Sequence, residues 1–418
     1  MIAINHCPKE VWDILKNVNT EEACQMLYHC DVSVEKLSVT LAQSQNRVLA
    51  DNLMSKIPVP PFDRSPFDGF VFRGEDTFGA TDKSPSVLRI IEEIAAGQCG
   101  KYELKKGEAA KILTGAPIPK GGNTTVKYED TLFTDTHVSI LSPGTPGTNI
   151  VYQGSDIMPN SPIARSGTII TPAIISSVAN QGFSHLTVYK KPTITILSTG
   201  SELCEVGTIL GPASIYNSNV HTISAYLADV GADGVSGGSV PDDPDLIAKA
   251  VDDALKVSDM VITTGGASVG DYDWAVGAME RLGAKILFWK AAMRPGGAIL
   301  AGIRDGKVIL SLSGNPAAAV LGLMRIGIPY IKKLCGRSDC FYPQVEVRLK
   351  EPLKKASPKL RLIRGTLEIH NGLAYFSDSG NQGSEAVSSL ARCDLLGEIP
   401  MGSPPLPAET IIKAYRID

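Results

Sequence analysis

The stretch from Met260 to Trp274, MVITTGGASVGDYDW, constrains this chain more than any other. Met260, Val261 and Ile262 make an apolar, β-branched run of the kind found in strands covered on both faces. The run breaks at Gly265 and Gly266, where a ligand can approach the backbone with no Cβ in the way. Two carboxylates follow. Asp271 and Asp273 offer hard oxygen ligands, and Mg²⁺ commonly takes one or two carboxylates together with substrate oxygens and water. A buried strand that ends in this way suits a phosphorylated ligand with a divalent metal, although glycine-rich strand ends also occur without one.

The surrounding region, about 187 to 332, alternates strand and helix patterns, the signature of a parallel sheet with helices on both sides. The strand Thr193 to Leu197 runs into Ser198-Thr199-Gly200, and a helix is expected from Ser218. Asp243-Pro244 supplies an N-cap and a first-turn proline for the next helix. Beyond the glycine motif the pattern predicts a helix near Ala275 to Leu282. Strands follow at Lys285 to Trp289 and Ile299 to Gly302, then an Asp305-Gly306 hairpin turn and a strand to Leu312. The turn Ser313-Gly314-Asn315-Pro316 opens a further helix, with Asn315 suited to cap it and free amides expected to face an anion. Ligands of open α/β sheets lie beyond the carboxyl ends of the strands, where these turns fall. Lys290 and Arg294, in KAAMRPGG, lie near this edge, and arginine can grip an oxyanion through two parallel hydrogen bonds.

Residues 8 to 50 carry helical periodicity, with Val11, Trp12, Ile14 and Leu15 on one face and Ala23, Leu27 and Tyr28 following an Asn19-Thr20 cap signal. From 51 to 149 the chain is rich in Pro and Gly and has short alternating strands, a pattern for a small β domain. Ala173 to Gln181 reads as a helix in a connector.

At 418 residues the chain is too long for one core, and about two to four domains are expected. Hydrophobic residues make up 43% and charged residues 20%, the balance of an ordinary soluble globular protein. The formal charge is −4 and no cluster of five or more Lys/Arg occurs, so nucleic acid is not expected as a partner. No apolar run is long enough for a membrane span and no secretory leader is recognised, so a cytoplasmic location is expected. The eight cysteines form no CxxC pair and the six histidines no ligand spacing, which leaves reduced thiols and neither zinc nor a disulfide framework.

The motifs PPFDRSPFDGF (Pro60 to Phe70), ILTGAPIP (Ile112 to Pro119), LSTGSEL (Leu197 to Leu203), IYNSN (Ile215 to Asn219), GGASVGDYDW, KAAMRPG (Lys290 to Gly296) and LSGNPAAAV (Leu312 to Val320) occur in this order. In that set the chain resembles the molybdopterin molybdenumtransferases, the family of bacterial MoeA, the E domain of gephyrin and its plant counterpart. The resemblance implies a multidomain α/β plus β fold. Residues 1–23 would be an N-terminal helix packed on the α/β domain, 24–50 with 150–186 a connector of helix and strand, and 51–149 a small β-rich subdomain. Residues 187–332 would be a three-layer α/β domain like the molybdopterin adenylyltransferases, with a mostly parallel sheet, and 333–418 a C-terminal β domain.

The resemblance further implies that adenylylated molybdopterin and molybdate react, with Mg²⁺, to give molybdenum cofactor and AMP. It implies a homodimer with an active site shared between subunits, and a molybdopterin adenylyltransferase as a possible partner. Asp68 and Thr114 match positions that face the site from the neighbouring subunit, with Glu129 in the same region. Lys290, Arg294 and Pro295 match the stretch near the oxyanion. Thr199, Gly200, Gly265, Gly266, Ser268, Ser313, Gly314 and Asn315 match the phosphate cradle and the turn that closes it, and Asp271 and Asp273 match the metal ligands. Arg361 and Arg364 correspond approximately to a basic C-terminal element.

The chain departs from the family pattern at Asn149 to Gly154, Ser155, Ser201, Gly297, Ala318 and Gln382 to Ala386, several of which replace charged or hydroxyl residues. A lysine is often found in the family where Gly297 stands. Two functional classes therefore follow. One is an insertase for molybdate or tungstate; the other is a paralogue that binds pterin nucleotide or a partner protein without insertion.

Overall fold

The computed structural model describes residues 16–266 and 274–417, and it divides into two compact units. One unit contains the chain up to Asp51, Ser166–Ile170, and everything from Leu186 onward; the other contains Asn52–Arg165 and Thr171–His185.

The first unit is built on a seven-stranded sheet. Its order is Lys16–Val18, Lys285–Ala291, Leu300–Arg304, Lys307–Leu312, Met260–Thr264, Thr193–Thr199, Asp233–Val240. Every neighbouring pair is parallel except the two that involve Leu300–Arg304. The antiparallel pair Leu300–Arg304 and Lys307–Leu312 is closed by Asp305 and Gly306 at φ +50° and +78°, the left-handed pair that suits a tight hairpin to the sheet twist.

Successive side chains point to opposite faces of a strand, and here both faces are buried. Met260, Ile262, Val308 and Leu310 enter one core with Ile223 and Leu227 of helix Ser218–Val230 and with the helical run after Pro316. Val261 and Ile309 enter the other core with Ile247 and Val251 of helix Pro244–Val257 and with Ala278 and Met279 of helix Trp274–Leu282. This is the three-layer α/β arrangement expected from continuous apolar strands. Asp243 caps its helix as the sequence suggests, its carboxylate accepting from the amides of Asp245 and Leu246 with Pro244 in the first turn.

The helical opening expected over 8 to 50 is narrower than the periodicity suggests. The helix is Thr20–Tyr28, with Asn19 accepting from the Glu21 amide, while Lys16–Val18 and Lys36–Thr40 are strands. Lys16–Val18 gains a backbone partner in Trp289 to Ala291, and that ladder overrides local helical preference. Val11, Trp12, Ile14 and Leu15 lie outside the described residues.

The same unit carries a six-stranded C-terminal sheet, ordered Met293–Arg294, Leu360–His370, Leu373–Asp378, Gln344–Leu349, Ile411–Arg416, Leu395–Ile399. Leu360–His370 also pairs with Leu395–Ile399, so five of these strands close into a small barrel around Val347, Ile363, Phe376 and Leu395. The short strand Met293–Arg294 leaves the α/β region and joins the barrel edge, tying the KAAMRPG motif to the C-terminal strands.

The second unit is β-rich. Its six-stranded sheet runs Thr124–Lys127, Gly69–Phe72, Glu108–Ile112, Ser86–Ile94, His137–Ile140, Thr131–Phe133. Alternation again fills two small cores, Phe70 and Phe72 on one side and Val71, Ala110 and Ile112 on the other. The connector helix is Pro172–Asn180, opened by Thr171 accepting from the Ile174 amide.

Candidate functional site

Three strand ends meet at one rim of the seven-stranded sheet. Gly265, at φ +96°, donates its amide to the Leu312 carbonyl at 3.1 Å, and a Cβ there would stand 2.5 Å from both the carbonyl and the hydroxyl oxygen of Thr199. A glycine is therefore obligatory at this turn. A Cβ on Gly314 would lie 3.5 Å from the Gly265 Cα, and the Asn219 amide donates to the Gly314 carbonyl at 2.8 Å. Thr199, Gly265 and Gly314, far apart in sequence, are thus in contact range at one edge. Beneath them runs a buried set of hydroxyls in which Thr263 donates to Ser311 at 2.8 Å and Ser198 to Asn217 at 3.0 Å. These bonds leave the strand ends with satisfied polar groups and fix the turns above them.

Beside this rim opens a cavity of about 1020 Å³. Lys290, Arg294, Pro295, Ser313 and Asn315 line it, as the KAAMRPG and SGNP motifs suggested. So do Lys16, Asn17, Lys354, Lys355, Lys359 and Arg361, which among the described residues gives seven cations against one carboxylate, Asp378. Arg294 and Arg361 stand directly opposite each other in parallel strands. Like charges in that position destabilise a strand pair unless something negative lies between them. The Arg361 Nε is also buried with no hydrogen-bond partner.

Two expectations for this region need correction. The Asn315 side chain does not cap the helix that begins at Pro316 but donates to the Ser384 hydroxyl at 3.3 Å. The amides at that helix start are partly spent, since Asn315 N–H donates to the Ser313 hydroxyl and Ala318 N–H to the Ser384 carbonyl, and Pro316 has none. Attraction for an anion therefore comes from side-chain cations rather than a bare helix terminus. Arg364, paired in the sequence reading with Arg361, is fully buried and does not line the cavity. It donates to the carbonyls of Asn381 and Gly383 at 3.0 Å each, and burial holds its guanidinium below its ordinary value. Its place is under the loop that carries Gln382 and Ser384 to the cavity wall.

Around Gly200 the charge reverses. A Cβ on Gly200 would lie 2.6 Å from the Glu202 carboxylate, and Asp242 follows the carboxyl end of strand Asp233–Val240. Burial, and next the charge of Glu202, push the Asp242 carboxyl above its ordinary value, partly offset by a hydrogen bond with Thr199. Among the described residues neither carboxylate has a basic partner. Ser268, Asp271 and Asp273 lie outside the described residues, and among the described ones no three His, Cys, Asp or Glu side chains converge as a metal site. Sequence reasoning missed Glu202 and Asp242, although Asp242 stands just past a parallel strand, where ligand residues are expected.

In the β-rich unit Asp68 and Thr114 are brought together. The amide and the hydroxyl of Thr114 both donate to Asp68 Oδ1 at 2.7 Å, and these bonds, the amide first, hold the carboxyl below its ordinary range. Asp68 is thereby kept ionised and oriented at an exposed turn. Glu129 is exposed in the short turn Tyr128–Asp130.

The sheet topology and the cation-lined cavity beside its carboxyl edge define a multidomain α/β protein with a C-terminal β barrel. Comparisons with known proteins narrow the class. Residues 18–182 match the MoeA N-terminal region (domain I and II), 195–333 a probable molybdopterin binding domain, and 346–415 the MoeA C-terminal region (domain IV). A molybdopterin molybdenumtransferase of Staphylococcus aureus (strain Mu50 / ATCC 700699) is 32% identical over 386 residues, covering 92% of each chain. One from Staphylococcus epidermidis (strain ATCC 12228 / FDA PCI 1200) is 32% identical over 398 residues, covering 94% of each. The solved molybdopterin biosynthesis MoeA protein of Pyrococcus horikoshii OT3 superposes with a TM-score of 0.82 at 26% identity, over 96% of this chain and 100% of that one. The chain belongs to the MoeA family of molybdopterin molybdenumtransferases, transferase enzymes of molybdenum cofactor biosynthesis. No helix among the described residues is long and apolar enough to cross a membrane.

Proposed function

We propose that this chain inserts molybdate into adenylylated molybdopterin and releases AMP, with Mg²⁺ as the resident metal. The observation that carries the reading is the opposed pair Arg294 and Arg361 in a cavity whose described lining residues include seven cations and one carboxylate. A tetrahedral dianion seated there turns a repulsive pair into two charge-assisted contacts.

In this reading Lys290, Arg294 and Arg361 hold the oxyanion, and Thr199, Gly200, Gly265, Gly266 and Ser268 admit the pyrophosphate at the rim. Ser313, Gly314 and Asn315 form the turn between the two, beside Pro295. The oxygen-only pair Glu202 and Asp242, two close carboxylates with no basic partner, fits a hard divalent cation. These residues would hold Mg²⁺ with Asp271 and Asp273, and the ion when bound neutralises charge that develops on the phosphate. The protein's own task is positioning and charge stabilisation, with no side chain required as a nucleophile. A second copy of the chain completes the site, contributing Asp68 and Thr114 from its β-rich unit, in a cytoplasmic homodimer supplied by a molybdopterin adenylyltransferase.

The test is reconstitution of the purified protein with adenylylated molybdopterin, Mg²⁺ and either molybdate or tungstate. AMP release that requires the oxyanion is the expected result, and the two oxyanions run in parallel define the preference. Binding of the nucleotide with no oxyanion-dependent AMP release would make the chain a carrier and overturn the insertase.

A further inference from the structure

The first described residues bear on the cavity in a way that the family match does not cover, since that match begins at residue 18. Strand Lys16–Val18 lies parallel to Lys285–Ala291 with Lys16 opposite Trp289 and Val18 opposite Ala291, which sets Asn17 beside Lys290. Both middle residues are left-handed, Asn17 at φ +59° and Lys290 at φ +68°. Such backbone is disfavoured for side chains other than glycine and least so for asparagine, and it persists where surrounding structure imposes it, often at binding sites. Lys16, Asn17 and Lys290 all line the cavity. The ammonium groups of Lys16 and Lys290 lie over one indole, that of Trp289, at 4.7 and 4.1 Å from its centre. One aromatic ring thus favours two like charges close to it, on two residues that line the cavity.

We propose that Lys16 and Asn17 form a subsite for a tetrahedral oxyanion dianion at the Lys290 end of the cavity. Lys16 supplies a second positive charge and Asn17 an amide donor, so that the edge strand sets affinity for the oxyanion while the nucleotide rim is left untouched. The inference rests on the insertase reading for the identity of the oxyanion.

The experiment is titration calorimetry of the full-length protein with molybdate over a series of NaCl concentrations, alongside KM and kcat for molybdate. Lys16→Gln removes the charge, and Asn17→Gly removes the amide while keeping the left-handed backbone. Lys16→Arg is the conservative rescue, and Lys83→Gln, at an exposed lysine that does not line the cavity, is the control. Loss of one charge-assisted contact corresponds to roughly a tenfold weaker affinity and higher KM for Lys16→Gln, with kcat retained and a shallower salt dependence. Asn17→Gly loses about threefold, a fraction of a neutral hydrogen bond's usual contribution. Lys16→Arg restores binding. Affinity and KM of Lys16→Gln and Asn17→Gly equal to those of Lys83→Gln would overturn this inference alone. Wild-type protein that binds nucleotide but no molybdate would overturn both this inference and the insertase reading.

Discussion

Two groups of arginines in the α/β unit put the same side chain to opposite uses. Arg325, on the π-helical turn Leu323–Gly327, sits 2.7 Å from Glu21 and 3.6 Å from Glu398, with its guanidinium 4.9 Å from the centre of the Tyr415 ring. Its charge is answered from three elements and its side chain is only 10% exposed, so it works as a clasp between the first helix, the helical run after Pro316 and the barrel. Arg294 and Arg361 have the reverse arrangement, facing each other across two strands with further lysines around them. A fold that answers one arginine with two carboxylates and an aromatic ring has the means to neutralise the others. Under the proposed function, the oxyanion is what answers the charge of this pair.

The sharpest break in this comparison is Arg361→Ala. Removing one well-placed charge-stabilising donor costs on the order of 10²–10³ in rate, and molybdate-dependent AMP release should fall by that factor. The thermal midpoint should hold or rise, because the like-charged partner Arg294 loses its repulsive neighbour. A marked fall in the midpoint would move Arg361 into the same role as Arg364, a buried arginine that supports a loop.

A smaller effect is expected from adding a cation. Gly297 stands where the family often carries lysine, yet a Cβ there would lie 2.4 Å from the carbonyl oxygens of both Ala291 and Met293. Backbone cannot yield as a side chain can, so overpacking of this kind costs about 1–3 kcal/mol. Gly297→Lys should lower stability by that amount, read by denaturant unfolding, without raising the rate. Unchanged stability would mean that the wall can relax to admit another charge.

What was legible in the sequence followed from burial. The strands Thr193–Thr199, Met260–Thr264 and Lys307–Leu312 read clearly because both of their faces are covered, which leaves apolar runs, and Asp243-Pro244 and Asp305-Gly306 carry their local signals in two residues each. The edge strand Asp233–Val240, mostly exposed and rich in glycine and serine, did not read as a strand. Lys16 to Val18 did not read as a strand. Three residues at a sheet edge carry too little pattern, and their partner lies about 270 residues away. Lys354, Lys355 and Lys359 look like solvated loop charges until the barrel brings them to the cavity. The split between Arg361 and Arg364 was within reach: three residues apart on one strand, they must point to opposite faces.

The smallest expected effect probes the clasp itself. Hydrogen bonds from Arg325 and then from Gln25 hold the Glu21 carboxyl below its ordinary value near 4.5. A carboxylate whose folded value is depressed contributes stability above its unfolded value and loses it as pH falls through the folded one. Glu21→Gln should therefore be less stable than wild type at pH 7, by a modest margin because Glu21 is well exposed to solvent on one side. The two midpoints should draw together as pH falls below about 4.5 and coincide once Glu21 is protonated in the folded state. AMP release at pH 7 should be the same for both, since neither Glu21 nor Arg325 lines the cavity. A gap that persists at acid pH would show that the carboxylate's charge is not what Arg325 uses. A loss of activity would erase the distinction between the answered arginine and the open pair.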